Sequence, residues 1–349
     1  MSARDRHLVL VVPGLCGPET DPPVSDYLRD SRPAALDRLL SRSRATAGSG
    51  SDLDAALGQL FGHAVDAGQE LPVAAFSWLA DTGQPPADWV MRADPVHLRA
   101  DQSCLRLFDS DSFSISREEA DALVAAFNAY FQEPGWKLTA PQPQRWYLTL
   151  PQPASLQTLS PARVAGQDID PCLPRGADAA RWHAMLNEVQ MLFHSHPVNA
   201  AREQRGAPPV NSIWPWGGGR LPGVLQPRAT RLLADHPLAA GLARHAGIPF
   251  AHLPATVEDM LTRAGAGYTL VVDDRLESPM HYGDIETWLD ALQVLETGWF
   301  APLLAALRDG ALATLEIHPC NGHGFHVNRG RLRRFWKPVR PYEENFLHR

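Results

Sequence analysis

Lysine is almost missing from this sequence. Lys137 and Lys337 are the only two, so 30 of the 32 basic residues are arginine. The skew, with abundant Ala and Pro, reads as codon bias, although arginine is also the better bidentate partner for a carboxylate or phosphate. Basic charge is in deficit as a whole: 32 basic residues face 39 acidic ones, a net of −7. That excludes a general polyanion-binding role, because phosphate contacts need a basic surface, and leaves room for a local basic pocket. Cysteine is sparse, and Cys16, Cys104, Cys172 and Cys320 show no CxxC spacing. A zinc ribbon and a disulfide scaffold are excluded, and reduced thiols in a cytoplasmic protein are expected. Long apolar runs are missing too. The N-terminal one, Leu8 to Val12, stops at Pro13-Gly14, far short of the roughly 20 residues of a membrane helix and without a small-residue cleavage site. No membrane partner is expected.

The 349 residues include 44% hydrophobic and 20% charged side chains, with 10 Trp and 12 Phe, a composition that excludes disorder, collagen and coiled coil. The length fits one large domain with an insertion, or two domains. His7 to Val12 is apolar on both faces and closed by Pro-Gly, the pattern of a buried parallel strand. A helix is expected around Ser31 to Leu40, where Leu36, Leu39 and Leu40 share a face. Another is expected over Leu53 to Phe61 after the small-residue turn Ala47 to Asp52, and its N-terminus favours an anion. Ala74 to Ala80 reads as a second core strand. From about residue 90 to 165 the texture changes: a strand-rich stretch from Asp94 to Phe108, a capped helix from Arg117 to Phe131 and a strand from Arg145 to Leu150 read as a compact α+β insertion. Beyond the linker Pro151 to Pro161, helices are expected over Asp178 to Phe193, Pro227 to Ala234, Val257 to Ala264, Asp284 to Glu296 and Phe300 to Asp309. Strands are expected over Val210 to Trp214, Tyr268 to Val272 and Ala313 to Ile317. The alternation favours a largely parallel sheet with helices on both faces.

The richest stretch chemically runs from His194 and His196 through Asn199 and Arg202, then from Asn211 through Trp214, Trp216 and three glycines to Arg220 and Pro222. Glycines after a strand allow close backbone approach to a ligand, and the Trp and Asn side chains form a rigid, polar-tipped wall; a tight structural turn is the equal alternative. His194 and His196 fit a helix end, where the dipole stabilises histidine. Arg92 and Arg99 alternate with Asp94 and Asp101, which suits a cleft between core and insertion that holds phosphate or carboxylate. His318, His323 and His326 form a His-rich turn, either metal-ligand chemistry at loop spacing or surface histidines in a Gly-rich loop. The one basic run, Arg331 to Arg340, carries Phe335 and Trp336. An edge strand with those rings inward and arginines outward fits it better than nucleic-acid binding, given the net charge and the lack of a recognition fold.

Together, Gln167 to Gly176, His196 to Asn199 with Arg202, and Asn211 to Gly217 with Pro222 resemble the archaeal-type cofactor-independent phosphoglycerate mutases of the alkaline phosphatase superfamily. Ser49-Gly-Ser51-Asp52 before a helix is similar to that family's nucleophile loop, Ser31 to Leu39 to its first helix, and Ser116 to Tyr147 to its inserted domain. The chain resembles still more closely the proteobacterial RpfE-type regulatory proteins. The resemblance implies an alkaline phosphatase-like α/β core over 1–90 and 165–349 and an α+β cap over 91–164. It also implies two divalent metals (Mn, Zn or Mg), no nucleotide cofactor, and a transiently phosphorylated serine.

Carried over residue by residue, the resemblance makes Ser51 the nucleophile with Asp52 beside it; a helix-capping or turn serine is the alternative. Glu277 and His281 stand at the family's Asp-x-x-x-His element, and His318, with His323 or His326, at its late metal site. Arg92, Arg99, Asn199, Arg202, Asn211, Trp216, Gly218 and Arg220 become candidates for binding a small phosphorylated or acidic ligand. The sequence departs from the pattern twice: Pro13 occupies the first-strand Asp position, and no Asp has a clear place beside His318, so that either Glu316 substitutes from the neighbouring position or that metal site is broken. Loss of carboxylates weakens binding of hard divalent metals. The expected reading is therefore a divergent member with an incomplete two-metal site, a regulatory or small-ligand-binding protein. A metal-dependent phosphotransferase or phosphohydrolase working through Ser51 is the competing one. No nucleic-acid partner is expected.

Overall fold

The computed structural model describes residues 6–29, 31–63, 70–101, 104–263 and 265–347. Its strands, in chain order, are β1 (Arg6–Val11), β2 (Arg44–Ala47), β3 (Trp89–Asp101), β4 (Cys104–Phe108), β5 (Lys137–Gln142), β6 (Arg145–Leu150), β7 (Ser212–Gly219), β8 (Arg231–Leu233), β9 (Phe250–Ala251), β10 (Gly267–Val272), β11 (Thr314–His318) and β12 (His323–Asn328). The chain divides into two units, residues 1–64 with 224–349, and residues 65–223.

In the first unit the sheet order is β2-β12-β11-β1-β10-β8-β9. β1 pairs in parallel with β10 and β11, and β8 in parallel with β10 and β9. β12 is antiparallel to β11 and β2. The sheet is thus mostly parallel, and the doubly apolar pattern of β1 is its cause: Leu8 and Leu10 on one side, Val9 and Val11 on the other, are all buried. Leu8, Leu10, Leu315 and Ile317 share one core with Leu36, Leu292 and Leu303 of the helices Ala34–Arg42, Ile285–Leu295 and Ala301–Asp309.

The helix Ala34–Arg42 has no side-chain cap of its own at Pro33. Glu296 supplies one from a distant part of the chain, its carboxylate accepting from Ala35 N at 2.6 Å and Leu36 N at 3.2 Å. Burial pushes that carboxyl above its ordinary value and the two amide donors pull it back. Orphan first-turn amides are thereby satisfied inside the core.

The second unit is an antiparallel sheet, β4-β3-β6-β5, with β7 also paired to β3. Its core joins Trp146, Leu148 and Ile213 of the strands to Leu123 and Phe127 of the helix Arg117–Tyr130 and to Trp182 and Phe193 of the helix Ala179–His194. A capping box, Ser116 with Glu119, opens the first of these helices. The unit is wider than the 91–164 stretch because β7 returns to the sheet and β3 begins at Trp89.

Three stretches differ from their sequence pattern. Ala74 to Ala80 is not a strand but part of the helix Val73–Thr82, set between Pro72 and the left-handed Gly83. A short buried apolar run does not separate helix from strand by periodicity; its alanines and its Pro and Gly boundaries favour the helix. Pro227 to Ala234 is not helical, since Arg231–Leu233 is β8 and its backbone is paired to β10. Arg331 to Arg340 is no edge strand: a short helix, Arg329–Leu332, gives way to turns, and Phe335 and Trp336 are 85% and 68% exposed. Ala264, the end of one expected helix, lies outside the described residues, as do residues 102–103 within the strand-rich stretch.

Candidate functional site

β1, β10 and β11 end side by side. Val11 is in register with Val272 and with His318, and Val12 N donates to His318 O while Asp273 N donates to Val11 O. The carboxyl ends of adjacent parallel strands are where open α/β sheets bind ligands. Gly14, at φ +81°, lets the loop after β1 meet the loop after β10: a Cβ there would lie 2.4 Å from Leu276 O. Pro13, buried beside it, offers no ligating side chain. The segment 48–52 is stitched to the turn after β11, Gly48 N donating to Gly322 O at 2.9 Å and Gly322 N to Gly50 O at 2.8 Å.

These loops bring the candidate residues of the first unit to one end of the sheet, in an arrangement the sequence did not indicate. The serine that meets a histidine is Ser49: its Oγ lies 3.0 Å from Nδ1 of the buried His318. Ser51 is exposed, and Asp52 caps the helix Leu53–Leu60 by accepting from Ala55 N at 2.8 Å. His318 Nε2 faces Glu316 Oε2 at 3.9 Å, within charge attraction and beyond a hydrogen bond. Glu316 Oε1 accepts from Arg228 Nη1 at 3.2 Å. His326 sits directly opposite Glu316 on β12, so it shares a sheet face with Glu316 and His318, whereas His323, three residues away, belongs to the other face. His318 first, then Arg228 and His326, hold the Glu316 carboxyl below its ordinary value against the opposing effect of burial.

Two thiols flank the same strand ends. Asn321 Nδ2 donates to Cys16 Sγ at 3.2 Å; burial pushes the Cys16 thiol up to about 11, with Asn321 opposing. Cys320 is pushed up by burial and then by the carboxylates of Glu277, Asp52 and Asp54. Its φ of 62° is strained for a side chain with a Cβ, and such strain gathers at functional sites. Glu277 and His281 lie at the two ends of the short helix Glu277–Tyr282.

Among the described residues, no group of three or more His, Cys, Asp or Glu side chains is placed to hold a metal ion. Pro13 cannot ligate and Arg228 engages Glu316, while the buried His318 Nε2, which has no hydrogen-bond partner, is joined by no second and third ligand among the described residues. These residues do not fit the two-metal site that the resemblance implies.

The remaining candidates lie in the second unit, where most of their polar atoms are engaged with the protein itself. Arg92 lies 5.3 Å from the centre of the Tyr147 ring and 5.2 Å from that of Trp216, and donates to Asp94 Oδ1 through Nε and Nη2 at 2.9 and 2.7 Å. Trp216 Nε1 donates to Asp94 Oδ2 at 2.7 Å. Asn199 ties Phe193 to Val210, and Asn211 pairs with both backbone groups of Leu98. The fully buried Arg202 reaches Pro208 O, Ser114 O and Glu119. Gly218 makes room for the Trp89 ring, which a Cβ would approach to 2.2 Å. These contacts join the unit's own strands and helices, and Trp214, Trp216 and the three glycines lie not in a turn but in β7, paired to β3. Arg99, stacked 4.5 Å from the Phe108 ring centre, and Arg220 keep exposed side chains.

Besides Ser49, Cys16 and Cys320, sequence reasoning passed over Asp273, the first residue after β10. It is 1% exposed, accepts from Arg275 Nε at 2.7 Å, and its Oδ2 has no hydrogen-bond partner. Burial raises its pKa, with Arg275 opposing. The available signal was an acidic pair directly after an apolar strand.

Residues 80–199, all within the second unit, match the family model of the 2,3-bisphosphoglycerate-independent phosphoglycerate mutases. The enzyme of that name from Methanosarcina acetivorans is 25% identical over 178 residues, 44% of this chain and 44% of its own length. A probable one from Geobacter sulfurreducens is 40% identical over 58 residues, 17% of this chain and 14% of its own. The aligned part of the chain thus spans less than half the length of these curated relatives. Among solved structures, the PH0037 protein from Pyrococcus horikoshii superposes with a TM-score of 0.51 at 13% identity, covering 93% of this chain and 88% of that one, which shows a shared fold. In sequence, the chain is phosphoglycerate mutase-like.

Proposed function

We propose that this chain, on an alkaline phosphatase-like core, is a divergent phosphoglycerate mutase-like protein of regulatory role. It binds a small phosphorylated or acidic ligand and does not turn it over with a metal pair. The observation that carries this reading is the set of partners at the strand ends. Pro13 stands where a carboxylate is expected, and Glu316, the carboxylate 3.9 Å from His318 Nε2, is engaged by Arg228. Removing hard oxygen ligands lowers affinity for a divalent ion steeply. Arg220, exposed just after β7, supplies positive charge for such a ligand.

The test pairs elemental analysis of the purified protein with turnover of p-nitrophenyl phosphate and calorimetric titration of 3-phosphoglycerate. The expected result is no stoichiometric metal, no turnover, and saturable binding that weakens in Arg220→Ala. Stoichiometric metal with turnover that disappears in Ser51→Ala overturns it. That outcome would support the second reading, a phosphotransferase or phosphohydrolase acting through Ser51 with bound Mn, Zn or Mg. Its favouring observation is that Ser51 stands directly before the capped helix Leu53–Leu60, on the segment stitched to the turn after β11.

A further inference from the structure

The segment 329–340 contains six cations, Arg329, Arg331, Arg333, Arg334, Lys337 and Arg340, and no carboxylate. Within it Phe335, Trp336 and Val339 are 85%, 68% and 44% exposed. Rings of this size in water are unfavourable, and flexibility does not explain them, because the backbone that carries them is clamped. Arg42, itself 7% exposed, donates to the carbonyl oxygens of Arg334 and Phe335. Ser41 Oγ accepts from Arg340 N at 2.9 Å and donates to Arg340 O at 3.3 Å. Two residues on, Tyr342 is fully buried and its N donates to Asp37 at 2.7 Å. The helix Ala34–Arg42 and Tyr342 thus hold a short loop whose apolar side chains face outward. Glu343, the first carboxylate after the segment, is engaged by Arg32.

We infer that this loop is a docking surface for an anionic lipid bilayer, with Phe335, Trp336 and Val339 entering the headgroup region and the six cations meeting lipid phosphates. Aromatic residues favour the membrane interface, and a cluster of cations adds attraction to anionic lipid. Single-stranded nucleic acid fits less well. The Phe335 and Trp336 rings stand at 80° with centroids 5.4 Å apart, so they offer no pair of parallel platforms for successive bases, and Val339 adds nothing to stacking. Docking here is peripheral, since no helix among the described residues is long and apolar enough to cross a membrane. It is independent of the strand-end site.

Co-sedimentation of the full chain with vesicles of phosphatidylcholine alone, and of phosphatidylcholine with 30% phosphatidylglycerol, tests the inference. Binding is expected only to the anionic vesicles. It should fall at least tenfold in Phe335→Ala/Trp336→Ala, and about 30-fold in Arg333→Gln/Arg334→Gln at low salt. Because the substituted side chains are outside the core, unchanged circular dichroism is expected for both variants. No binding to anionic vesicles, or equal binding by wild type and the aromatic variant, overturns the inference. So does preferential binding of a labelled dT20 oligonucleotide that the same substitutions abolish.

Discussion

Arg202 shows how much a single charged side chain can be asked to hold. It is fully buried, and its guanidinium joins Glu119 to the carbonyls of Pro208 and Ser114. Removing one partner of such a pair leaves the other charge uncompensated. Arg202→Ala is therefore expected to cost about 3–5 kcal/mol, read as a lower urea midpoint for the second unit. The Cys16 thiol makes a pH-dependent case. Its folded value of about 11 stands above the roughly 8.5 of an unfolded cysteine. Its stabilising contribution is thus complete below pH ~8.5 and lost as pH climbs toward the folded value. Cys16→Ser should flatten the decline in melting temperature across that window. The sequence marked neither residue for these roles. Arg202 was singled out as a ligand contact, because charge and neighbouring motif look the same whether a guanidinium meets a phosphate or its own protein's carbonyls.

At the scale of elements, β11 carries the clearest prediction. Glu316 lies between His318, Arg228 and His326 and is held below its ordinary value, first by His318. A depressed carboxyl contributes stability above its unfolded pKa, about 4.3, and loses it as pH falls through the lower folded value. Glu316→Gln should therefore lower stability at neutral pH and flatten the acid limb of a chemical-denaturation series. At the start of Arg117–Tyr130, Ser116→Ala removes the capping box and is expected to cost about 1 kcal/mol. That helix was legible from its Ser cap and early glutamates, as β1 was from its doubly apolar run. The helix Val73–Thr82 was not, because a short, mostly apolar stretch such as Ala74 to Ala80 satisfies both periods. β8 was hidden for the opposite reason: at three residues, Arg231–Leu233, it is too short to show any period. His318 was legible as a site residue from its place at a strand end, but its partner Ser49 comes from far back in the chain, and pairing at that distance leaves no local trace.

For the molecule as a whole, the incomplete-site reading predicts stability that is insensitive to chelation. A ligand bound only by the folded state raises the melting temperature, and its removal lowers it. The melting curve with and without excess EDTA should therefore coincide, and a fall of several degrees in EDTA would count against the incomplete-site reading. The broad organisation, a mostly parallel α/β sheet interrupted by an α+β stretch, was readable from the alternation of apolar runs. The extent of the second unit was not, because its last strand, Ser212–Gly219, pairs with Trp89–Asp101 across more than a hundred residues of chain.

Gly62 and Gln226 stand on either side of that inserted segment, and a Cβ on Gly62 would lie 3.2 Å from Gln226 O. The first unit therefore surrenders the chain and takes it back at almost the same point. A gene edited to delete residues 65–223 and rejoin the ends through two or three glycines should encode a folded miniature of the parallel sheet. The excised piece, one continuous stretch with its own core, should be a portable module to graft into a surface turn of an unrelated host.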